Sequence, residues 1–242
     1  MNPKVIIFDI DSTLTESKQP LSQEMAEALK KLLDKMPVGI MSGADFPQFE
    51  KQLLAHLPQG VALGNLFLFP TSAAECLSFK DGKWQAEYDY LFTKEEKEKI
   101  IKALEAVAPK EKEIFGEQIE DRGEQITWSA LGQEAPLGIK EKWDPDHAKR
   151  QKIKEKLEKL IPEFEINIGG STSIDITRKG ISKEDGILWL EKHFGVPASE
   201  MLYVGDALFD GGNDAEVKKT SVQTKQVSGP AETIAFLQGL PL

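Results

Sequence analysis

Two carboxylates, Asp9 and Asp11, follow directly after the apolar run Val5–Phe8. Such a run is typical of a central strand that is buried on both faces of a sheet. Ligands of open α/β sheets bind just beyond the carboxyl ends of the strands, where this acid pair would lie. One carboxylate could attack phosphorus and become an aspartyl-phosphate, while the other could donate a proton to the leaving oxygen and later take one from the acceptor. The simpler alternative is a solvated Asp-x-Asp turn, because short acidic motifs are common.

Three further residues with suitable chemistry lie at the ends of other predicted elements. Ser42 follows a second apolar strand, and its hydroxyl could either donate a hydrogen bond to a phosphate oxygen or cap the next helix. Lys183 lies in the first turn of a helix and could balance the charge of the nucleophile and of the transferring phosphoryl group. Asp206 follows the apolar run Met201–Val204 and could complete an oxygen cage for a hard cation. Taken alone, Lys183 could also be a solvated lysine and Asp206 part of a simple turn.

The carboxylates suit Mg²⁺, which proteins typically hold through one or two carboxylates together with water and phosphate. A cation between them would offset the repulsion between the nucleophile and the phosphate oxygens. The predicted metal ligands are Asp9, Asp11 and Asp206. Asn213 and Asp214, on the loop after Asp206, are expected to hold the water molecules of the ion.

Residues 9–15 follow the pattern D-x-D-[GS]-T-L-T, which resembles the haloacid dehalogenase (HAD) superfamily of phosphotransferases. The resemblance implies that Asp9 is the nucleophile and Asp11 the general acid and base, and that Thr13 helps to fix the loop. It also places Ser42, Lys183 and Asp206 in the order in which the superfamily carries its other motifs. The implied fold is α/β, a Rossmann-like core in which a parallel sheet lies between helices, with an inserted α+β cap domain.

The pattern along the chain agrees with a core that is interrupted by an insertion. Both ends alternate apolar strands with helices, which predicts parallel crossovers. The middle block opens with a capping box at Thr93 and Glu96 and continues with paired strands and charged helices. Within this block we expect a loop over residues 131–138 and a helix that starts at Asp144 and Pro145. The predicted catalytic core is 1–88 with 179–242, and the predicted cap is 89–178.

Three segments resemble a narrower family, the eukaryotic-type phosphomannomutases of HAD subfamily IIB. These segments are Gly43–Leu53, Ile166–Ile176 and Gly205–Asp214. The resemblance implies that a cap serine and a cap aspartate contact the sugar and that cap cations hold its distal phosphate. It further implies a hexose 1,6-bisphosphate activator and a homodimer formed through the cap. The residues that match the sugar contacts are Ser173 and Asp175, and the candidates for the phosphate contacts are Arg122 and Lys140.

The chain also departs from that family. Ser129 stands where the mutases have a cap arginine, Pro70–Glu75 replaces a segment that usually contains E-N-G, and Asp210 stands where they tend to have proline. Lys140 would give a point charge in place of an arginine fork, and it could also be a solvated surface lysine. The leading prediction is a mutase that interconverts mannose 6-phosphate and mannose 1-phosphate. The alternatives are a sugar-phosphate phosphatase that uses the same residues and a non-catalytic sensor of phosphorylated metabolites.

Composition narrows the classes of partner. The chain has 242 residues, a net charge of −10 and 29% charged residues, which argues against a broad nucleic-acid footprint and leaves a small phosphorylated metabolite open as a partner. The resemblance to phosphomannomutases implies that this partner is a small phosphorylated sugar. A single cysteine allows no intrachain disulfide. No stretch approaches the roughly 20 apolar residues of a membrane span, and no signal peptide is recognisable. A cytoplasmic protein is therefore expected.

Overall fold

The computed structural model describes residues 3–169, 171–209 and 212–240, without the side chain of Leu137. The chain divides into two compact units. The core unit consists of Met1–Asp89 and Ile181–Leu242, and the inserted unit of Tyr90–Gly180. The limits expected from the sequence, 89 and 178 for the cap, lie close to those of the inserted unit. The assignment of the two units as catalytic core and substrate cap stays a prediction.

Eleven strands and seven α-helices are present in the described ranges. The strands are β1 (Val5–Asp9), β2 (Val38–Met41), β3 (Leu66–Phe69), β4 (Glu75–Lys80), β5 (Lys83–Asp89), β6 (Ile119–Asp121), β7 (Gln125–Ser129), β8 (Phe164–Gly169), β9 (Ser173–Arg178), β10 (Met201–Gly205) and β11 (Gln223–Gln226). The helices are α1 (Gln23–Leu33), α2 (Phe46–Gln52), α3 (Lys94–Val107), α4 (Leu137–Trp143), α5 (Ala148–Leu160), α6 (Lys183–Phe194) and α7 (Pro230–Gln238).

A seven-stranded sheet in the order β11-β10-β1-β2-β3-β4-β5 forms the centre of the core unit. The five strands from β11 to β3 are parallel, and β4 and β5 continue the edge as an antiparallel hairpin. Side chains alternate across β1: Ile6 and Phe8 pack with α1, α2 and α7, while Val5 and Ile7 pack with α6 on the other face. Every residue of β1 is buried, as the continuous apolar run predicts. The expected α/β fold with a parallel sheet between helices is therefore confirmed.

The inserted unit is an α+β structure built on a four-stranded antiparallel sheet in the order β6-β7-β9-β8. One face of this sheet is apolar and packs with α3 and α5, through residues such as Ile126 and Trp128. The capping box at Thr93 and Glu96 opens α3 as predicted. Strand residues between the apolar ones lie on the opposite face because side chains alternate along a strand. That second face is polar.

Two expected element limits differ from the structure. Residues 131–136 form the expected loop, but residues 137 and 138 already belong to α4, whose first turn is closed by the N–H groups of Ile139 and Lys140 donating to the Pro136 carbonyl. The next helix begins at Ala148 and not at Asp144, because the Asp144 carboxylate accepts the backbone N–H groups of Lys149 and Arg150. Ser42 is not the cap of α2 either, since the Asp45 side chain accepts the Gln48 N–H at that end. Gly170, Asp210 and Gly211 lie outside the described residues.

The pair of Asp144 and Arg150 is the most buried ion pair of the inserted unit among the described residues, with no exposed area on either side chain. Arg150 Nε donates to Asp144 Oδ2 at 2.8 Å, and its Nη1 donates to the carbonyl of Gly169 at 2.7 Å. Burial alone would raise the pKa of Asp144, but the hydrogen bond from Arg150 and the two backbone N–H groups outweigh it and lower the pKa. The ion pair therefore ties the start of α5 to the end of β8.

Replacing Arg150 by methionine should lower the local stability of the inserted unit by roughly 3–5 kcal/mol, because it leaves a buried carboxylate without its partner. Hydrogen exchange of the α5 amides in the intact protein measures this loss. The pKa of Asp144 is lower in the folded protein than in the unfolded one. The stabilisation that the wild-type ion pair provides is therefore fully present above about pH 4 and is lost as the pH falls through the folded-state pKa. The control Lys154→Met, whose partner Glu158 is exposed, should cost about 0–1 kcal/mol. Equal effects of the two substitutions would contradict the role of the buried pair.

In the described part of the chain, no helix has both the length and the apolar character needed to cross a bilayer. The cytoplasmic location stays a prediction.

Candidate active site

The carboxyl ends of three adjacent strands bring the predicted residues of the core unit together. Asp9 ends β1, Asp206 follows β10, and Ser42 follows β2. Because β10, β1 and β2 are neighbouring parallel strands, these ends lie at the same edge of the sheet. Lys183 joins them from the first turn of α6, which Ser182 caps. The order of elements along the chain thus explains why residues far apart in sequence meet here.

Lys183 is the centre of a buried hydrogen-bond network. Its ammonium donates to Asp9 Oδ1 at 2.5 Å, to Asp214 Oδ1 at 2.6 Å and to the hydroxyl of Tyr203 at 3.1 Å. The Tyr203 hydroxyl in turn donates to Asp214 Oδ1 at 2.6 Å. Each of these four side chains is at most 4% exposed. Both oxygens of Asp214 are engaged, since Oδ2 accepts the Ala207 N–H at 3.2 Å.

Burial and charge set the protonation of this network. Burial raises the pKa of Asp9 to about 7, against the opposing effect of Lys183. Burial alone would lower the pKa of Lys183, but Asp9 and Asp214 outweigh it, so the net pKa rises and the side chain stays an ammonium. Burial, reinforced by Asp214 and Asp9, raises the pKa of Tyr203 well above its ordinary value, which keeps its hydroxyl a donor.

Three carboxylates form a group that could hold a cation. Asp9, Asp206 and Asp214 each offer an oxygen, and these oxygens lie within 4.8 Å of one another. Asp9 Oδ2 is buried and accepts no hydrogen bond within the described residues, so it has lone pairs to offer. Burial and the charge of Asp214 raise the pKa of Asp206, which is the electrostatic cost that a bound cation would remove. The oxygen donors and the unsatisfied Asp9 Oδ2 fit a hard divalent cation such as Mg²⁺.

Gly205 allows this crowding of carboxylates. A Cβ atom at Gly205 would lie 2.3 Å from Asp214 Oδ2, which is closer than any real contact. The glycine that precedes Asp206 is therefore required for Asp214 to reach the site. Asn213 is exposed on the same loop, and no described contact ties it to the acidic group. Its predicted role and that of Asp214 in holding metal-bound water stay predictions.

Asp11 is held apart from the three clustered carboxylates. Its Oδ1 accepts the backbone N–H of Lys18 at 2.6 Å and the Gln52 side-chain amide at 3.0 Å. Gln52 is buried on α2 and also donates to the hydroxyl of Thr15 at 2.7 Å. The carboxylate of Asp11 is not one of the three that lie within 4.8 Å, so a role as metal ligand stays a prediction. Its half-buried position suits a group that exchanges protons with a substrate.

Ser42 and Thr13 add hydroxyls to the same edge. Ser42 Oγ accepts the Ala44 N–H at 3.1 Å, which leaves its own O–H free to donate to a ligand. Within the described residues, Thr13 Oγ1 is buried without a hydrogen bond of ordinary geometry. It lies near enough to Asp206 to oppose, in small part, the rise in the pKa of that carboxyl. Both hydroxyls are therefore available as donors to a phosphate oxygen.

The predicted sugar contacts lie on the polar face of the inserted sheet. Asp175, on β9, accepts from the Thr127 hydroxyl at 2.7 Å, and Gln125 donates to the same hydroxyl at 2.8 Å. Burial raises the pKa of Asp175, against the effects of Thr127 and Arg122. A Cβ at Gly169 would lie 2.3 Å from Asp175 Oδ2, so the glycine makes room for this carboxylate.

The remaining predicted contacts of the inserted unit differ in their surroundings. Ser173 is half-buried at the start of β9, opposite Ser129 in the register. Arg122 pairs with Glu120 at 2.8 Å and lies near enough to Asp175 to affect its pKa. Lys140 lies on α4, and its ammonium donates to the Gln133 carbonyl at 2.8 Å. The structure thus groups Arg122 with Asp175 and gives Lys140 a backbone partner of its own.

Sequence reasoning missed Tyr203 and Gln52. Tyr203 lies within an apolar strand, where a tyrosine is usually explained by packing, and the only signal was its hydroxyl three residues before Asp206. Gln52 follows an apolar helical pattern and is separated from Asp11 by 41 positions. Neither spacing indicates a contact without the fold.

The fold resembles those of solved HAD enzymes. Plasmodium falciparum IMP-nucleotidase superposes with a TM-score of 0.70 and 17% identity, over 98% of this chain and 68% of that one. Aspergillus fumigatus trehalose-6-phosphate phosphatase superposes with a TM-score of 0.61 and 17% identity, over 98% of this chain and 92% of that one. At such identity these similarities establish the fold alone.

Sequence comparison identifies the family. Phosphomannomutase of Triticum aestivum is 29% identical over 240 residues, which cover 94% of this chain and 91% of the relative. Phosphomannomutase of Saccharomyces cerevisiae is 28% identical over 251 residues, which cover 98% of this chain and 93% of the relative. The family model described as eukaryotic phosphomannomutase matches residues 25–240. The chain therefore belongs to the eukaryotic phosphomannomutase family within the HAD superfamily, as the three resembling segments predicted.

Proposed function

We propose that this protein is a Mg²⁺-dependent phosphomannomutase, which interconverts mannose 6-phosphate and mannose 1-phosphate through a phosphorylated Asp9. The main support for the proposal is that the two carboxylate oxygens of Asp9 differ. Oδ1 accepts a hydrogen bond from Lys183, while Oδ2 is buried and accepts none from the described residues. Family membership supports an enzyme of the phosphotransferase kind. A sensor would not need the acid at position 11, which is why we disfavour that alternative.

The chemistry divides into two transfers that share Asp9 and Asp11. In the first, a free hydroxyl of the mannose monophosphate attacks the phosphoryl group on Asp9, Asp11 takes the proton of that hydroxyl, and the bond between phosphorus and Asp9 breaks, which gives a bisphosphate. In the second, Asp9 Oδ2 attacks the other phosphorus of the bisphosphate, the bond between that phosphorus and the sugar oxygen breaks, and Asp11 returns its proton to that oxygen. Gln52 and the Lys18 N–H orient the Asp11 carboxylate in the resting enzyme. The protonation states of both residues are restored at the end of the cycle.

The charges of the site support the transfer. The ammonium of Lys183 offsets the negative charge of Asp9 as phosphate approaches, and the hydroxyls of Ser42 and Thr13 can donate to phosphoryl oxygens. Asp9, Asp11 and Asp206 are the proposed ligands of Mg²⁺. Asp214 is not proposed as a direct ligand, because its oxygens already accept hydrogen bonds from Lys183, Tyr203 and Ala207. When bound, the ion would neutralise charge that develops on the transferring phosphoryl group.

Hydrolysis of the phosphorylated Asp9 by water is the second candidate, and the inserted unit gives a specific reason to consider it. A mutase must hold a phosphate at both ends of its bisphosphate intermediate, which requires cations away from Asp9. Ser129 supplies a hydroxyl in place of a family arginine, Arg122 is already paired with Glu120, and Lys140 already donates to a carbonyl. These contacts reduce the positive charge that is available for a second phosphate. A sugar-phosphate phosphatase would not need it.

³¹P NMR distinguishes the two functions. Purified protein is incubated with mannose 1-phosphate, Mg²⁺ and a catalytic amount of glucose 1,6-bisphosphate, and the product resonances are followed with time. Conversion to mannose 6-phosphate is the expected result. Accumulation of inorganic phosphate without mannose 6-phosphate would instead establish the phosphatase, and the absence of any product would refute both.

Replacing Arg122 by alanine should weaken binding of the distal phosphate by roughly 1.5–3 kcal/mol, the usual range for a charge-assisted hydrogen bond. Hydrolysis of acetyl phosphate should stay nearly unchanged, because this small substrate has no second phosphate. The matched control is Lys97→Ala, which removes a cation that pairs with the neighbouring Asp121. Equal losses of Arg122→Ala on both substrates, or no loss on either, would contradict its role and favour the phosphatase.

We also propose an activator and a homodimer. A mutase is inactivated when its phosphorylated Asp9 is hydrolysed or its bisphosphate intermediate escapes, so a hexose 1,6-bisphosphate should restore activity. The family resemblance further suggests a homodimer through the inserted unit. Sedimentation velocity of the purified protein would show a dimer, and a monomer at all accessible concentrations would contradict that part of the proposal.

A further inference from the structure

Tyr203 is a buried tyrosine whose hydroxyl group lies inside the candidate active site. Its side chain is fully buried and packs within the apolar cluster on the α6 side of the sheet, beside residues such as Ile7 and Leu190. A phenylalanine would fill the same apolar space. The hydroxyl, however, donates to Asp214 Oδ1 at 2.6 Å and accepts from Lys183 Nζ at 3.1 Å. Packing therefore does not account for the polar atom of this side chain.

We infer that Tyr203 is a positioning residue that acts through Lys183 and keeps its ammonium group against Asp9. The inference rests on the proposed function, because it takes Asp9 as the nucleophile that Lys183 serves. Tyr203 itself need not contact the substrate.

The ammonium group of Lys183 is surrounded by as many acceptors as it has donors. A lysine ammonium has three N–H donors, and Lys183 has three acceptors, namely Asp9, Asp214 and the Tyr203 hydroxyl. Three acceptors in fixed positions define where the nitrogen lies. If one of them is removed, the nitrogen is held by two carboxylates alone and can move between them.

Asp9 and Asp214 compete for the ammonium group of Lys183. Asp214 is fully buried and attracts the same ammonium that Asp9 needs. Because the Tyr203 hydroxyl donates to the same oxygen of Asp214 that Lys183 contacts, it satisfies part of the negative charge on that oxygen. Without the hydroxyl, Lys183 should move towards Asp214 and away from Asp9. The phosphoryl group that develops on Asp9 would then lose part of its charge neutralisation.

The test compares Tyr203→Phe with the wild type in the rate at which each converts mannose 1-phosphate to mannose 6-phosphate. We expect kcat to fall roughly tenfold to a hundredfold, as for the loss of a hydrogen bond to a charged group. KM should be unchanged, since the substrate contacts are intact. The matched control is Tyr88→Phe, which removes a tyrosine hydroxyl that donates to the Ala73 carbonyl at 3.0 Å. That variant should keep the wild-type kcat, and circular dichroism should show that both variants are folded.

A binding readout separates positioning from a structural role. Beryllium fluoride mimics an aspartyl-phosphate, and ¹⁹F NMR measures its affinity without turnover. Tyr203→Phe should weaken this affinity in the wild-type background and have little further effect in a Lys183→Met background, because its effect passes through Lys183. Additive losses, or a kcat and an affinity equal to those of an active wild type, would overturn the inference. A wild type that neither turns over mannose 1-phosphate nor binds beryllium fluoride would refute the proposed function itself.

Discussion

Replacing Asp9 by asparagine should abolish turnover while the fold persists. Asparagine keeps the shape of the side chain but removes the attacking charge, and loss of a nucleophile typically costs roughly 10⁴-fold or more in kcat. Because burial raises the pKa of Asp9 to about 7, its ionised form opposes folding at higher pH. The neutral asparagine removes this cost, so the Tm measured at pH 8 should not fall.

Beryllium fluoride supplies the control for this variant. It should bind the wild type and fail to bind Asp9→Asn, because it requires a carboxylate oxygen. A surface variant such as Asp34→Asn, which alters only an exposed pair with Lys30, should retain both activity and binding. Full activity of Asp9→Asn would remove the basis of the functional assignment.

Replacing Asp206 by alanine should weaken Mg²⁺ binding and slow phosphoryl transfer by several orders of magnitude. The ion supplies much of the charge stabilisation in such reactions, and Asp206 is one of three carboxylates whose oxygens lie within 4.8 Å of one another. Burial and Asp214 raise the pKa of Asp206, which means that its ionised carboxylate lowers the stability of the folded protein. The fold should therefore tolerate alanine at this position. Activity is measured as a function of Mg²⁺ concentration.

Two outcomes decide the role of the metal. In the wild type, EDTA should abolish activity and added Mg²⁺ should restore it. In Asp206→Ala, excess Mg²⁺ should recover only part of the lost rate, because a ligand is missing. Activity that is unchanged in EDTA, or an Asp206→Ala variant with the wild-type dependence on Mg²⁺, would refute the proposed metal site.

The placement of the site could be predicted because it depends on strand ends. The apolar runs before Asp9 and Asp206 are buried strands, and their parallel pairing follows from the alternation of strands and helices. The helix that presents Lys183 was recognisable from its serine cap and its final glycine. These signals are local. The order of the strands and helices along the chain then places the strand ends at one edge of the sheet.

The partners within the site could not be predicted in the same way. Lys183 contacts Asp9 across 174 positions of sequence, and Gln52 contacts Asp11 across 41. Such contacts depend on the directions of the side chains, which the pattern of apolar residues does not predict. The start of α5 was misplaced for a related reason, since Asp144 accepts the N–H groups of a helix that begins four residues later. The dipeptide Asp144-Pro145 favoured a helix start at Asp144, because proline is common in the first turn of a helix.

Chemical trapping of the phosphorylated residue tests the central claim most directly. The enzyme is mixed with glucose 1,6-bisphosphate and Mg²⁺, quenched in acid during turnover, and treated with borohydride, which reduces an aspartyl-phosphate to homoserine. Tandem mass spectrometry of the peptide that contains residues 5–15 then locates the modification. We expect homoserine at position 9 in the wild type and none in Asp9→Asn. Homoserine at another position, or turnover without any trapped phosphoryl group, would contradict the account.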